Sequence, residues 1–176
     1  VQEYAKAPGM GMLDATICDI YLVNECGGVV GRPILTACLD AYSSLCCGYA
    51  LTWEGGMYSL RQLMLNVVTD KQELCKKHGI NINPQEWDSS MCPGVLVTDQ
   101  GTEYVSNCFE QIAELGVKVV NLPVYRPELK GSIEKFFSII QDLFRPYLKG
   151  RGLIEPDFQE RGAHDYRKDA CLTLEQ

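Results

Sequence analysis

The sequence predicts a mixed α/β fold: a sheet of three antiparallel strands extended by parallel strands, with helices packed on its faces. Two observations lead there. The first third of the chain holds three β-rich runs separated by short turn clusters. The remainder holds segments with apolar residues at helical spacing, alternating with short strand-like runs.

The elements follow in order. Residues 12–23 are rich in Ile, Leu, Val, Thr and Tyr, and residues 34–40 and 46–51 follow in the same style. Gly27-Gly28, Gly31-Arg32-Pro33 and Ala41-Tyr42-Ser43-Ser44 supply turns between them, so the three runs read as an antiparallel meander. Residues 57–77 read as a helix, with Leu60, Leu63, Met64, Val67 and Val68 as its apolar positions. Asn81-Ile82-Asn83-Pro84 breaks that pattern and reads as loop. Residues 94–98 form a short apolar strand ending at Asp99. Residues 107–115 read as a helix carrying Cys108, Ile112 and Leu115, with Gly116 as its stop, and residues 117–122 as another strand. After a turn over residues 123–130, residues 131–144 give the clearest helix. Its stripe is Ile133, Phe136, Phe137, Ile140, Leu143 and Phe144.

At 176 residues, 46% hydrophobic and 22% charged, the chain is long enough for one domain with a proper core. No apolar run reaches the length of a membrane span, and no basic-then-apolar leader is present, so neither a membrane nor secretion is predicted. The chain starts at Val1 and stops in a polar stretch, and reads as a piece of a longer protein. Residues 1–146 are expected to form the core, and residues 147–176, polar and glycine-bearing, a tail or linker toward a missing C-terminal domain. The nine cysteines are irregularly spaced with no C-x-x-C pair, and His78 and His164 stand alone. Neither a zinc site nor a disulfide framework is predicted; several of the cysteines fall inside apolar runs and read as small core residues in a reducing compartment.

A net charge of −7 disfavours a surface built to grip phosphate backbones. A catalytic core escapes that objection if other domains supply the grip, and carboxylates gathered at a metal site contribute to such acidity. A two-metal phosphoryl-transfer site needs acidic side chains converging from rigid elements. Asp14 lies within the first strand, and Asp99 ends an apolar strand just before Gly101. Glu134 begins the last helix off its apolar stripe, sharing a face with Ser138, Gln141 and Arg145. A bland role is open to each: an Asp ending a strand forms turns, and a Glu in a first helical turn complements the dipole. Asp19, five residues beyond Asp14, points to the opposite face by strand alternation. Asp40 reads as structural, and Glu103 and Glu128 as solvated.

Three blocks carry a resemblance. Leu13-Asp14-Ala15-Thr16, Val97-Thr98-Asp99-Gln100-Gly101, and the stretch Tyr125-Arg126-Pro127-Glu128-Leu129-Lys130-Gly131-Ser132-Ile133-Glu134-Lys135-Phe136-Phe137 resemble the signature blocks of the DDE transposase and retroviral integrase superfamily. Glu134 follows Asp99 by 134 − 99 = 35 positions, close to the family's usual interval. Residues 17–23, Gly31-Arg32-Pro33-Ile34-Leu35-Thr36 and the closing Asp165-Tyr166-Arg167-Lys168-Asp169-Ala170 resemble the branch containing Mu transposase and TnsB-like proteins. The likeness runs from about Gly11 onward; it departs at Gln100, where many relatives have Asn or Arg, and in the acidic balance.

The resemblance implies a ribonuclease H-like fold, with which the order of elements is compatible. It implies Asp14, Asp99 and Glu134 as catalytic residues and as ligands of two Mg²⁺ ions, with Mn²⁺ able to substitute. The implied reaction is 3′-end cleavage of transposon DNA by water, then joining of the freed 3′-hydroxyl to target DNA. Lys130 falls where relatives place a polar DNA-contacting residue; Arg126 and Lys135 are further candidates for phosphate contact, with a solvated surface charge as the alternative for all three. Implied partners are transposon-end and target DNA, further copies assembling on DNA, an ATPase regulator and a second transposase subunit. The implied setting is the bacterial cytoplasm, at the nucleoid when acting. Other readings stay open: a nuclease of the same fold that only hydrolyses, a catalytically silent module of transpososome assembly, or, on charge alone, an acidic sugar- or peptide-binding domain.

Overall fold

The structure, a computed structural model, describes residues 5–98, 114, 116–121, 127–160 and 162–176. Its sheet has five strands in the order β5-β4-β1-β6-β7. The strands are β1 (Met10–Ile17), β4 (Ile34–Asp40), β5 (Cys46–Thr52), β6 (Val95–Thr98) and β7 (Lys118–Asn121). β1, β4 and β5 form the antiparallel meander read from the sequence, and β6 and β7 extend it in parallel. This mixed order, with helices on both faces, is the ribonuclease H-like arrangement.

The expected strand over residues 12–23 is shorter, and the cause is Pro33. The β1–β4 ladder runs from Gly11↔Asp40 to Ile17↔Ile34. One bond further, the Cys18 N–H donates to the Pro33 carbonyl at 2.9 Å, but Pro33 has no N–H to return. The chain then leaves the sheet and forms a small ribbon from β2 (Leu22–Val23) and β3 (Val29–Gly31).

The expected helix over residues 57–77 is two helices, α1 (Met57–Val68) and α2 (Lys71–Lys77). Thr69 is extended, and the Asp70 carboxylate caps α2 by accepting from the backbone N–H groups of Gln72 and Glu73. Leu60, Leu63 and Val67 are buried, whereas Val68, expected on the apolar face, is exposed. The long helix, here α3, spans Pro127–Leu148 rather than residues 131–144. It starts at a proline, whose missing N–H is no loss in a first turn, and continues through Pro146. Leu143, expected in its stripe, is exposed. The expected helix over residues 107–115 lies outside the described residues, save for helical Glu114.

Two cores result. On one face of the sheet, Leu13, Cys38 and Leu96 pack with Leu60, Leu63 and Val67 of α1. On the other, Met12, Leu35, Ala37 and Leu39 pack with Ile133 and Phe137 of α3. Residues after Leu148 return along the second face. Gly152 and Ile154 exchange backbone bonds with Tyr21 and Asp19, Leu153 bridges Ile20, and the Leu172 carbonyl accepts from the Val23 N–H. A side chain at Gly152 would meet the Tyr21 carbonyl oxygen at 2.5 Å, so this return depends on glycine. Cys18, Cys38 and Cys47 are buried free thiols, matching the reading of several cysteines as core residues, whereas Cys26 and Cys171 are exposed. Among the described residues, no helix is long and apolar enough to cross a membrane.

Candidate active site

β1 is the middle strand of the five, hydrogen-bonded along both edges. Successive side chains alternate, so Met12, Asp14 and Thr16 share one face and Leu13 and Ala15 the other. Met12 packs on the α3 side and Leu13 on the α1 side. Asp14 therefore belongs to the α3 face, one pleat beyond the apolar seam, and is half-buried. Its Oδ1 accepts from the Ala15 N–H at 2.8 Å.

α3 meets this face through Ile133 and Phe137, which are 2% and 5% exposed. Burying that pair turns the neighbouring polar row outward. Glu134 is exposed, and with Ser138, Gln141, Asp142 and Arg145 it forms one wall of a cleft of ≈ 420 Å³. Asp14, Ala15, Thr16 and Asp19 form the other wall. Two of the three carboxylates, 134 − 14 = 120 positions apart in the chain, thus line the same cleft. Asp99 lies outside the described residues. β6 ends at Thr98, the residue before it, and Thr98 is paired with Leu13, the residue before Asp14.

Asp19 corrects the sequence reading, since it lines the same cleft as Asp14. Alternation holds only within a strand, and β1 stops at Ile17. The Asp19 carboxylate accepts from Arg32 Nη2 at 2.6 Å, and its backbone N–H donates to Gln141 Oε1 at 3.0 Å. Asp142, which the sequence did not single out, brings the lining carboxylates among the described residues to four, against one guanidinium, that of Arg145. Arg145 lies 3.8 Å from Glu155 and 4.0 Å from Asp142. Asp40 is structural, as read: it accepts from the backbone of Gly9 and Ser43 and from the Ser43 hydroxyl.

Of the residues considered for DNA contact, Arg126 lies outside the described residues. The backbone of Lys130 is in the first turns of α3. Lys135 is exposed and does not line the cleft. A second cleft of ≈ 470 Å³ flanks the other side of α3, lined by Tyr49, Trp87, Phe136, Phe144 and Leu172 among others. Its described lining includes neither aspartate nor glutamate.

A ribonuclease H-like sheet with helices on both faces is the fold of the DDE transposase and integrase superfamily. The model of the TnsB C-terminal domain family matches residues 12–150, and the chain belongs to that family. The transposon Tn7 transposition protein TnsB of Escherichia coli is 32% identical over 167 residues, covering 92% of this chain and 23% of that protein. The transposase for transposon Tn552 of Staphylococcus aureus is 27% identical over 151 residues, covering 85% of this chain and 29% of that protein. The chain therefore spans less than a third of either relative. Among solved structures, a chain of the simian T-cell lymphotropic virus intasome in complex with PP2A regulatory subunit B56 gamma matches with a TM-score of 0.52. That match covers 91% of this chain and 45% of the viral one at 13% identity, a likeness of fold alone.

Proposed function

We propose that this chain is the catalytic core of a DNA transposase that cleaves the 3′ ends of its transposon and joins them to target DNA by metal-dependent phosphoryl transfer. Asp14, Asp99 and Glu134 are its metal-holding residues. The observation that carries the reading is that Asp14, on the middle strand, and Glu134, on α3, line one polar cleft. The family match supports it.

The donor types of the cleft suit a hard divalent cation, and because the described carboxylates alone form no cluster of three, the set depends on Asp99. Its described lining offers carboxylate, hydroxyl and amide oxygens and neither thiol nor imidazole. Asp14 and Glu134 would hold Mg²⁺, or Mn²⁺ in its place, from opposite walls, with Asp99 as the third ligand. Two ions bound there would supply charge neutralisation at the scissile phosphate and acidify the attacking hydroxyl. The chain's own contribution is rigidity: β1 cannot shift without disrupting a ladder on each side, and α3 is seated through Ile133 and Phe137. Water is the nucleophile of the first displacement, and the 3′-hydroxyl it frees is the nucleophile of the second. Lys130, Arg126 and Lys135 are proposed phosphate contacts.

With a net charge of −7 on the chain, we assign most of the grip on transposon-end and target DNA, and self-assembly on it, to regions outside this segment. Residues 147–176 would lead toward such a region. An ATPase regulator, a second transposase subunit and a bacterial cytoplasmic setting at the nucleoid rest on the family resemblance alone. The same acidity favours one other reading, a catalytically silent module of transposase assembly.

The test is a joining assay with pre-nicked transposon-end DNA and a transposase carrying this core. Asp14→Asn, Asp99→Asn and Glu134→Gln should each lower joining by about a hundredfold to a thousandfold, as loss of one preorganised electrostatic group does. Unfolding temperature should hold or rise. Hydrolysis without joining would make the protein a nuclease, and joining untouched by the three substitutions would leave the silent module.

A further inference from the structure

Beyond Ile17, the corner at Cys18 and Asp19 collects bonds from three directions. From β3's side, Arg32 donates through Nε to the Cys18 carbonyl at 2.9 Å and through Nη2 to the Asp19 carboxylate at 2.6 Å. From the returning chain, the Ile154 N–H donates to the Asp19 carbonyl at 2.8 Å. From α3, Gln141 Oε1 accepts the Asp19 backbone N–H at 3.0 Å. Gln141 lies seven residues past Glu134, about two turns along the same helix face.

This last bond supplies what apolar packing lacks. Ile133 and Phe137 hold α3 down on the sheet, but burial is non-directional and resists rotation about the helix axis weakly. A hydrogen bond is directional and does resist it. With side chains reaching about 6 Å from a helix axis, a 20° rotation carries a carboxylate through about 2 Å. Metal ligation tolerates about 0.2 Å. Exposed Glu134 thus depends on the rotational setting of α3 for its approach to Asp14.

We propose that Gln141, backed by the Arg32–Asp19 pair, is a positioning residue that sets the rotation of α3 and thereby the reach of Glu134 across the cleft. The inference rests on the metal-holding role proposed for Glu134. Arginine suits position 32 because its rigid fork serves the Cys18 carbonyl and the Asp19 carboxylate together, which a lysine ammonium on its flexible stem does not reproduce.

Mn²⁺ titration of the chain, followed by loss of the free-ion electron paramagnetic resonance signal, separates the possibilities without any DNA. Gln141→Leu should weaken Mn²⁺ binding about tenfold, the lower end of what losing an outer-shell partner costs a metal site. In a Glu134→Gln background the same substitution should have no further effect, because its influence passes through Glu134. An equal loss in both backgrounds, or no loss in the wild-type background, overturns the inference. A wild-type chain that binds no Mn²⁺, or a Glu134→Gln chain that binds it as well as wild type, overturns the metal-site reading itself. Arg32→Lys, which disturbs only the support behind Asp19, should weaken binding in the wild-type background by less than the roughly tenfold expected of Gln141→Leu. It should have no effect in the Glu134→Gln one. That pair decides the matter if Gln141→Leu does not fold.

Discussion

Replacing Lys71 with methionine removes a charge that ties together the scaffold on the far face of the sheet. Lys71 is 2% exposed, and its ammonium donates to the carbonyls of Asn66, Val67 and Thr69 at 2.7, 3.1 and 2.9 Å. It therefore closes the C-terminal end of α1, where the helix dipole favours a cation. It also sits 5.6 Å from the Trp87 ring centroid, and Trp87 Nε1 donates to the Cys46 carbonyl at 2.6 Å on the edge strand β5. Methionine keeps the length of the stem and loses all three bonds. A hydrogen bond to a charged group contributes about 1.5–3 kcal/mol, and relief of the buried ammonium's desolvation offsets part of the sum. The expected net loss is about 3 kcal/mol, which for a domain this size lowers Tm by about 6–12 °C. Thermal and urea unfolding measure it. Proton linkage adds a second check. Burial holds the Lys71 pKa below the ordinary 10.5, so just below that pH the unfolded chain binds more protons than the folded one. Lys71's contribution to stability then grows as pH rises through that window, and the gap between wild type and Lys71→Met should widen toward pH 10.5. A methionine variant as stable as wild type would refute the capping role, and a gap that narrows with rising pH would refute the lowered pKa.

Two further substitutions probe the frame. A Cβ at Gly48 would lie 2.7 Å from Val67 Cγ2 and 2.9 Å from the Val67 backbone nitrogen. Gly48→Ala must therefore push α1 off β5, and should cost about 1–3 kcal/mol by urea unfolding. At Asp40, burial raises the carboxyl pKa, but N–H groups of Gly9, Ser43 and Tyr42 and the Ser43 hydroxyl outweigh it and hold the pKa below 3.8. Its stabilising effect is present above that pH and lost as pH falls through the folded value. Asp40→Asn should thus cost about 1–2 kcal/mol at neutral pH, with the difference from wild type vanishing in acid unfolding below pH 3.8.

Elements declared by local chemistry could be read from the chain, and elements made by packing could not. The run over residues 34–40 is apolar on both faces because β4 has strands on either side and helices above and below, so its expected bounds agree with Ile34–Asp40. The break between α1 and α2 was written in the sequence but hidden by apolar periodicity. Asp70 with Glu73 three residues on is the signature of a helix start, and it was passed over because Lys71, Leu74 and Cys75 continue the helical spacing. Nothing local says that Leu143 is exposed, since its spacing fits the stripe of Ile133 and Phe137 and only the extent of the sheet beneath α3 decides it. The site divides in the same way. Position on a strand and on a helix face makes Asp14 and Glu134 candidates but leaves each a bland role, and it is the resemblance to known signature blocks that singles them out. Asp19 was placed on the wrong side because the end of β1 depends on Pro33, fourteen residues later.

The charge of the cleft bears on the order of events in the proposed reaction. Among the described residues, four carboxylates and one arginine line ≈ 420 Å³, with Asp19 paired to Arg32 and that arginine within 4.0 Å of Asp142 and Glu155. A DNA phosphate brought to such a surface meets like charge, and the surrounding chain, at −7, does nothing to soften the encounter. Basic residues elsewhere in a longer transposase can raise the local concentration of DNA, yet they leave the potential at the cleft floor unchanged beyond a Debye length of about 8–10 Å. Cations bound between Asp14 and Glu134 would act at that floor directly. Divalent ions would then be needed for the substrate to seat at all, before any bond is made or broken. On the proposed reading, the acidity that counts against DNA binding for the chain as a whole would become, at this one place, the means by which a phosphate is admitted only when the divalent ions are already there.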